Sequence, residues 1–169
     1  MTAPEPLDLT GPLWRFALAV HARPGIPEAC LTLQAEAGVD VPLMLAVLHA
    51  RARCRTITSE VLAEARALVS PWQSRVVATL RQVRTEMKGD DWMARFTPVS
   101  PLREQIKALE LRAEQVQIAV LERHLDGLPA TADAATLEDF VTVIRLCAGG
   151  DHPAAETIAH AAAAAIAYP

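Results

Sequence analysis

Residues 100–126 of the chain read SPLREQIKALELRAEQVQIAVLERHLD and form the longest stretch with helical periodicity in the sequence. Ser100 and Pro101 are typical of a helix start, and Gly127 followed by Pro129 is typical of a helix end. Apolar residues recur every three or four positions in two stripes, which predicts a long helix that packs on both sides. The first stripe contains Leu102, Ile106, Leu109, Ala113, Val116 and Val120, and the second contains Leu111, Ile118, Leu121 and Leu125.

The same spacing divides the rest of the chain into helices, and no stretch alternates with the period of a strand. The other predicted helices cover residues 10–21, 26–37, 41–53, 58–70, 71–88, 137–147 and 153–167. Ser70-Pro71 predicts a sharp break between the fourth and fifth of these helices, because proline interrupts helical hydrogen bonding. The sequence therefore predicts an all-α, compact, single-domain bundle of seven to eight helices over residues 1–169, with the helices of 129–169 packed on the rest.

The composition is that of an ordinary globular protein. The chain has 169 residues, of which 51% are hydrophobic and 21% are charged, with a net charge of -4. That charge argues against a general nucleic-acid binder, and no apolar stretch reaches the ~20 residues that a membrane span requires. The N-terminus is acidic where a signal peptide would be basic, so we expect a cytoplasmic protein that contacts neither nucleic acid nor membrane. Three scattered cysteines without a Cys-x-x-Cys motif predict no metal or other cofactor.

Basic residues are concentrated in the middle of the chain, where residues 51–90 hold eight Lys or Arg against four Asp or Glu, a local charge of +4. The fifth predicted helix carries a cationic stripe beside its apolar face, whereas two carboxylates lie one turn apart between the apolar stripes of the long helix. Like charges in that position need cationic partners. These candidate residues are Arg81, Arg84, Lys88, Glu110 and Glu114. We expect either a structural ion-pair network or a polar pocket that holds a small ligand.

Three further residues are candidates for a role in function. Trp14 and Trp72 stand near the starts of predicted helices, where each indole either packs in the core or forms an apolar wall of the pocket. Cys54 lies between Arg53 and Arg55, and neighbouring cations can lower a thiol pKa, so it is a candidate reactive thiol. A buried structural role is the expectation for the other two cysteines.

No motif in the sequence predicts catalysis. The chain has no Gly-x-Ser-x-Gly elbow, no glycine-rich phosphate loop and no Glu-x-x-His pair for a di-metal centre. The hypothesis we favour is a non-enzymatic helical binding or adaptor module, with a protein partner or self-association. The alternative is a small-molecule-binding or enzymatic bundle with a polar pocket between helices five and six. Trp92 and Phe96 could also form an exposed apolar patch that marks a partner or a lid.

Several motifs occur together in the first 125 residues. They are LWRFAL (13–18), RPG (23–25), EACLTLQ (28–34), GVDV (38–41), a helix running from a tryptophan to a lysine (72–88) and ELRAE (110–114). This combination resembles DUF2390, a family of uncharacterised bacterial proteins, over about residues 13–125. The resemblance implies a small helical cytoplasmic protein with no assigned activity. It also implies that the five charged candidate residues belong to the signature of the family.

Overall fold

The computed structural model describes residues 6–89, 91–130 and 133–167. Within these ranges the backbone forms eight α-helical segments and no strand, which confirms the predicted all-α class. The segments are α1 (Pro12–His21), α2 (Ile26–Ala37), α3 (Val41–Ala52), α4 (Ser59–Trp72), α5 (Ala78–Gly89), α6 (Val99–Asp126), α7 (Leu137–Ala148) and α8 (Ala154–Ala167). A π-helical stretch, Gln73–Val77, joins α4 to α5.

Local signals in the sequence explain most helix ends. Helix α2 ends at Gly38, whose φ of 64° lies in the left-handed region that glycine adopts without strain. The Asp40 carboxylate caps α3 by accepting a hydrogen bond from the Leu43 amide at 3.2 Å. Helix α7 begins with a capping box, in which Thr136 and Asp139 each accept a hydrogen bond from the other's backbone amide.

Helix α3 is the centre of the bundle. It has no polar face, and eight of its twelve residues are buried, with α3 packed against α1, α6, α7 and α8. The alanine-rich helix α8 packs on α2 and α7. Its buried residues include Ala155, Ala159 and Ala162, whose small side chains allow the helices to approach closely.

No single helix in the described part of the chain is long and apolar enough to cross a membrane. Helices α2 and α3 together have the required length and composition, but they are bent by 113° relative to each other.

The predicted break at Ser70-Pro71 is wrong. Helix α4 continues through Pro71 to Trp72 and passes into α5 through the π-helical stretch. In that stretch the Ala78 amide donates to the Gln73 carbonyl, five residues earlier. The helical turn therefore contains about one residue more than an α-helical turn, and the helix continues. A proline and a π-helical turn are both places where a helix bends without ending.

Helix α5 and the first half of α6, residues 78–111, form an antiparallel pair that we call the hairpin. Helix α5 packs mainly on α6 and on the short turn Met93–Arg95 between them. The prediction that α6 packs on both sides is wrong for this half, because Leu102 and Leu109 are 50% and 57% exposed. The predicted apolar face of α5 is also wrong in part, since Val83 is 40% exposed. The α5 arginines Arg81 and Arg84 face α6.

Candidate functional site

Two arginines of α5 and two glutamates of α6 meet where the hairpin joins the bundle. The Arg81 Nε atom donates to Glu110 Oε1 at 2.9 Å, and its Nη2 atom donates to Glu114 Oε1 at 2.6 Å. The Arg84 Nε atom donates to Glu110 Oε2, and its Nη2 atom donates to Glu110 Oε1 at 3.3 Å. The side chain of Glu110 is only 8% exposed, whereas those of Arg81 and Arg84 are about a quarter exposed. We call these four residues the ion-pair cluster.

The two glutamates of the cluster differ in their acidity. Burial raises the pKa of Glu110, but hydrogen bonds from Arg84 and Arg81 outweigh burial and hold that pKa below its usual 4.5. Glu114 accepts a hydrogen bond from Arg81 alone, so burial dominates and raises its pKa above 4.5. The hydrogen bond to Glu110 raises the pKa of the Arg84 guanidinium further, which keeps it charged.

The cluster lies at one side of a cavity of about 290 Å³ between the hairpin and helices α1, α2 and α3, which we call the cleft. Most of its remaining wall is apolar and comprises Trp14, Leu18, Leu31, Leu45, Leu111 and Ile118. Three of these leucines, Leu18, Leu31 and Leu111, are 49%, 65% and 49% exposed. The cleft therefore combines an open apolar rim with a charged wall.

A second cavity, of about 260 Å³, has Arg81 and Gln34 in common with the cleft and has more polar walls. In it the Gln117 Nε2 atom donates to Asp40 Oδ2 at 2.7 Å. Burial raises the pKa of Asp40 despite this bond and the cap of α3. The Gln117 Oε1 atom is buried and has no hydrogen-bond partner among the described residues.

The structure brings four of the five predicted charged residues together and leaves one outside. Lys88 is exposed on α5 and, among the ion pairs of the described residues, makes none with Glu110 or Glu114. Trp14 lines the cleft, as the pocket hypothesis expects. Trp72 is not among the residues that line it, because its Nε1 atom donates to the Ala113 carbonyl at 2.9 Å and ties α4 to α6.

The three cysteines occupy different environments. Cys54 is partly buried just after α3, with a φ of 59°, and does not line the cleft. Burial raises the pKa of Cys30 to about 11 and that of Cys147 to about 12. Both buried thiols are therefore protonated at neutral pH and are poor nucleophiles.

The sequence did not indicate that α2 forms a wall of the cleft. Its residues Cys30, Leu31 and Gln34 line the cavity, as does Leu18 from α1. The available signal was weak: Leu18 and Leu31 are large apolar residues outside the buried stripes of their helices. Only the packing of α2 beside the hairpin brings them to one site.

Within the described residues, no group of three or more His, Cys, Asp or Glu side chains has the arrangement that could hold a metal ion. The side chains that line the cleft offer charged hydrogen bonding at one wall and apolar contact at the others. Such a combination binds and orients a molecule that has a polar end and an apolar body.

The sequence model of one protein family matches residues 12–121, which include all four residues of the ion-pair cluster. The chain belongs to the DUF2390 family. That family is described as proteins of unknown function, so membership supports the resemblance seen in the motifs without assigning an activity. The DUF2390 match ends inside α6 and covers every residue that lines the cleft, but neither α7 nor α8. No curated protein and no solved structure gives a significant match to the chain.

Proposed function

We propose that the chain is a non-catalytic binding module of the bacterial cytoplasm that holds a small, largely apolar ligand in the cleft. The observation that carries this proposal is the convergence of Arg81, Arg84, Glu110 and Glu114 on a cavity with apolar walls.

The size and lining of the cleft support this function. Ligand sites are usually concave, mostly apolar and provided with a few converging polar groups, in volumes upwards of about 300 Å³. The cleft, at about 290 Å³, is close to the lower end of that range and fits a molecule of the size of a short alkyl or single-ring compound. Its exposed leucines leave apolar surface that a bound ligand would cover.

The experiment is a titration of the ¹⁵N-labelled full chain with hexanol, a neutral apolar probe. The indole resonance of Trp14 reports on the cleft, and that of Trp92, 64% exposed on the hairpin, reports on non-specific contact. We expect the Trp14 resonance to shift and saturate while that of Trp92 does not. If the Trp14 resonance stays unchanged, or both resonances drift together without saturation, the proposal is wrong.

A matched pair of variants tests the location. The double substitution Leu18→Ser, Leu31→Ser removes two exposed leucines from the rim of the cleft, and we expect hexanol affinity to fall at least about threefold. The control is Leu68→Ser, Leu109→Ser, which removes two leucines of similar exposure that do not line the cleft. Equal affinities for the two double variants would place hexanol elsewhere.

The second candidate function is that of an adaptor for another protein. It is favoured by Trp92 and Phe96, which are 64% and 48% exposed and whose rings contact each other at a tilt of 55°, with 4.8 Å between their centroids. Exposed aromatic residues are enriched at protein interfaces. Native mass spectrometry of the full chain, purified gently from its source organism, separates the two functions. A stoichiometric protein partner lost from a Trp92→Ser, Phe96→Ser variant supports the adaptor, and a retained small molecule supports the cleft.

A further inference from the structure

The ion-pair cluster, which forms the charged wall of the cleft, has more unused hydrogen-bond donors than unused acceptors. A guanidinium has five N–H donors, and Arg81 and Arg84 each use two of them on the glutamates, through Nε and Nη2. Three N–H groups on each arginine therefore have no hydrogen bond to the part of the chain that the structure describes. On the acceptor side, both oxygens of Glu110 are engaged, and Glu114 Oε2 is the one carboxylate oxygen of the cluster without a hydrogen bond among the described residues. The wall is therefore rich in donors and poor in acceptors.

The spare donors can be used by a ligand. Both arginine side chains are about a quarter exposed, and both line the cleft, so their remaining N–H groups are not sealed inside the protein. The two guanidinium groups also lie side by side, because both bind the same Glu110 carboxylate. The free N–H fork of a single guanidinium matches the geometry of an oxyanion, which accepts two parallel hydrogen bonds from it.

Net charge alone does not select the ligand. The two arginines and the two glutamates of the cluster balance, and Asp40 faces Arg81 from the side of the second cavity together with Arg66. The number and direction of the free hydrogen-bond donors therefore determine whether an anionic or a cationic head group is preferred. An ammonium head group would find one free carboxylate oxygen opposed by two arginines, whereas an oxyanion would find several donors.

We propose that the ligand of the cleft is an organic anion with a short apolar body, held by its carboxylate or similar oxyanion at Arg81 and Arg84 and by its body against Trp14 and the rim leucines. This inference rests on the proposed function, since it specifies the ligand of the same cleft.

The test compares three probes of six carbon atoms each: hexanoate, hexanol and hexylammonium. Each is titrated into the ¹⁵N-labelled full chain at neutral pH and constant ionic strength, with the Trp14 indole as the reporter of the cleft. We expect hexanoate to bind about tenfold more tightly than hexylammonium, with hexanol between them. Hexanoate has one methylene fewer than the other two probes, which disfavours it by about 0.8 kcal/mol, so a preference for hexanoate reports on the head group.

Two variants with the same change in charge locate the head group. Arg84→Gln removes one donor fork from the cleft, and we expect it to weaken hexanoate about fivefold or more while leaving hexanol unchanged. Lys88→Gln removes one positive charge from the same helix, one turn further on, at an exposed position outside the cleft. We expect Lys88→Gln to bind hexanoate as the wild type does.

The outcomes distinguish this inference from the proposed function. If the three probes shift the Trp14 resonance with equal affinity, or hexylammonium binds best, the cleft binds apolar ligands but the anion inference is wrong. If Lys88→Gln weakens hexanoate as much as Arg84→Gln does, general electrostatic attraction explains the preference and the inference is again wrong. If no probe shifts the Trp14 resonance, both the inference and the proposed function fail. Should Arg84→Gln unfold, Arg84→Lys serves instead, because it keeps the charge and loses the fork.

Discussion

Replacement of Glu110 by glutamine tests whether the ion-pair cluster holds the hairpin to the bundle. Glu110→Gln keeps the shape of the side chain but removes the charge that accepts hydrogen bonds from Arg81 and Arg84. It also places amide N–H groups against two guanidinium groups, which are themselves donors. The two arginines then lose their buried counter-charge while remaining partly removed from water.

The magnitude follows from how far each partner is buried. Removal of one partner of a fully buried pair costs about 3–5 kcal/mol, and a charged hydrogen bond contributes about 1.5–3 kcal/mol. Here the side chains of Arg81 and Arg84 are 27% and 24% exposed, so water recovers part of the loss, and Arg81 retains Glu114. We therefore expect Glu110→Gln to lower the free energy of unfolding by about 2–3 kcal/mol.

The assay is urea unfolding of the full chain, followed by far-ultraviolet circular dichroism. At a typical urea dependence, a loss of this size lowers the unfolding midpoint by about 1 M. The matched control is Glu104→Gln, which removes a 59% exposed carboxylate that pairs with Arg103 and Lys107 on the same helix. We expect that control to change stability by less than about 0.5 kcal/mol. If Glu110→Gln costs no more than Glu104→Gln, the cluster does not stabilise the packing of α5 on α6.

Three further predictions concern single sites. In carbon-13 spectra of the carboxyl groups, Glu114 should titrate above pH 4.5 and Glu110 below it. The contribution of Glu114 to the free energy of unfolding then falls as the pH rises through its raised pKa. The contribution of Glu110 falls as the pH drops through its lowered pKa. The opposite order of titration would contradict the assigned hydrogen bonds. Trp72→Phe removes the hydrogen bond from the indole to the Ala113 carbonyl and should lower the free energy of unfolding in urea by about 1 kcal/mol. An unchanged free energy of unfolding would show that this hydrogen bond has no role in stability. Thr136→Ala removes the capping box of α7 and should cost about 1–2 kcal/mol, with Ser59→Ala as a control that leaves the cap of α4 in place.

Helix ends that are set by adjacent residues could be predicted from the sequence. The continuation of the helix through Pro71 could not, because it depends on a change in backbone hydrogen bonding. Gly38 ends α2 because its own φ is positive, and Asp40 caps α3 through an amide three residues away. Pro71 met the same local criteria for a break. Whether a helix stops at a proline or widens around it depends on the packing of both flanking segments, here through Trp72 on α6 and Val77 in the core. Sequence spacing does not contain that information.

The candidate site was also predictable only in part. The meeting of Arg81 and Arg84 with Glu110 and Glu114 followed from two helices joined by a short connection, since residues three or four apart share a face and adjacent helices run antiparallel. The void beside these residues required α2, which is distant in sequence and shows its contribution only as exposed apolar side chains such as Leu31. A cavity is a property of how elements pack together, so a single sequence predicts its residues better than its existence.

The position of the ion-pair cluster connects its energetics to the proposed function. Replacing a buried ion pair by well-packed apolar residues is often neutral or stabilising, because the attraction only about repays the loss of hydration. Stability alone therefore gives little reason for Arg81, Arg84 and Glu110 to be charged, although loss of one member is costly once the others are present. A shared buried carboxylate does, however, hold two guanidinium groups side by side in fixed orientation at the wall of the cleft. Such fixed orientation lowers the entropy cost of binding a ligand, because the donors need not be ordered when the ligand arrives.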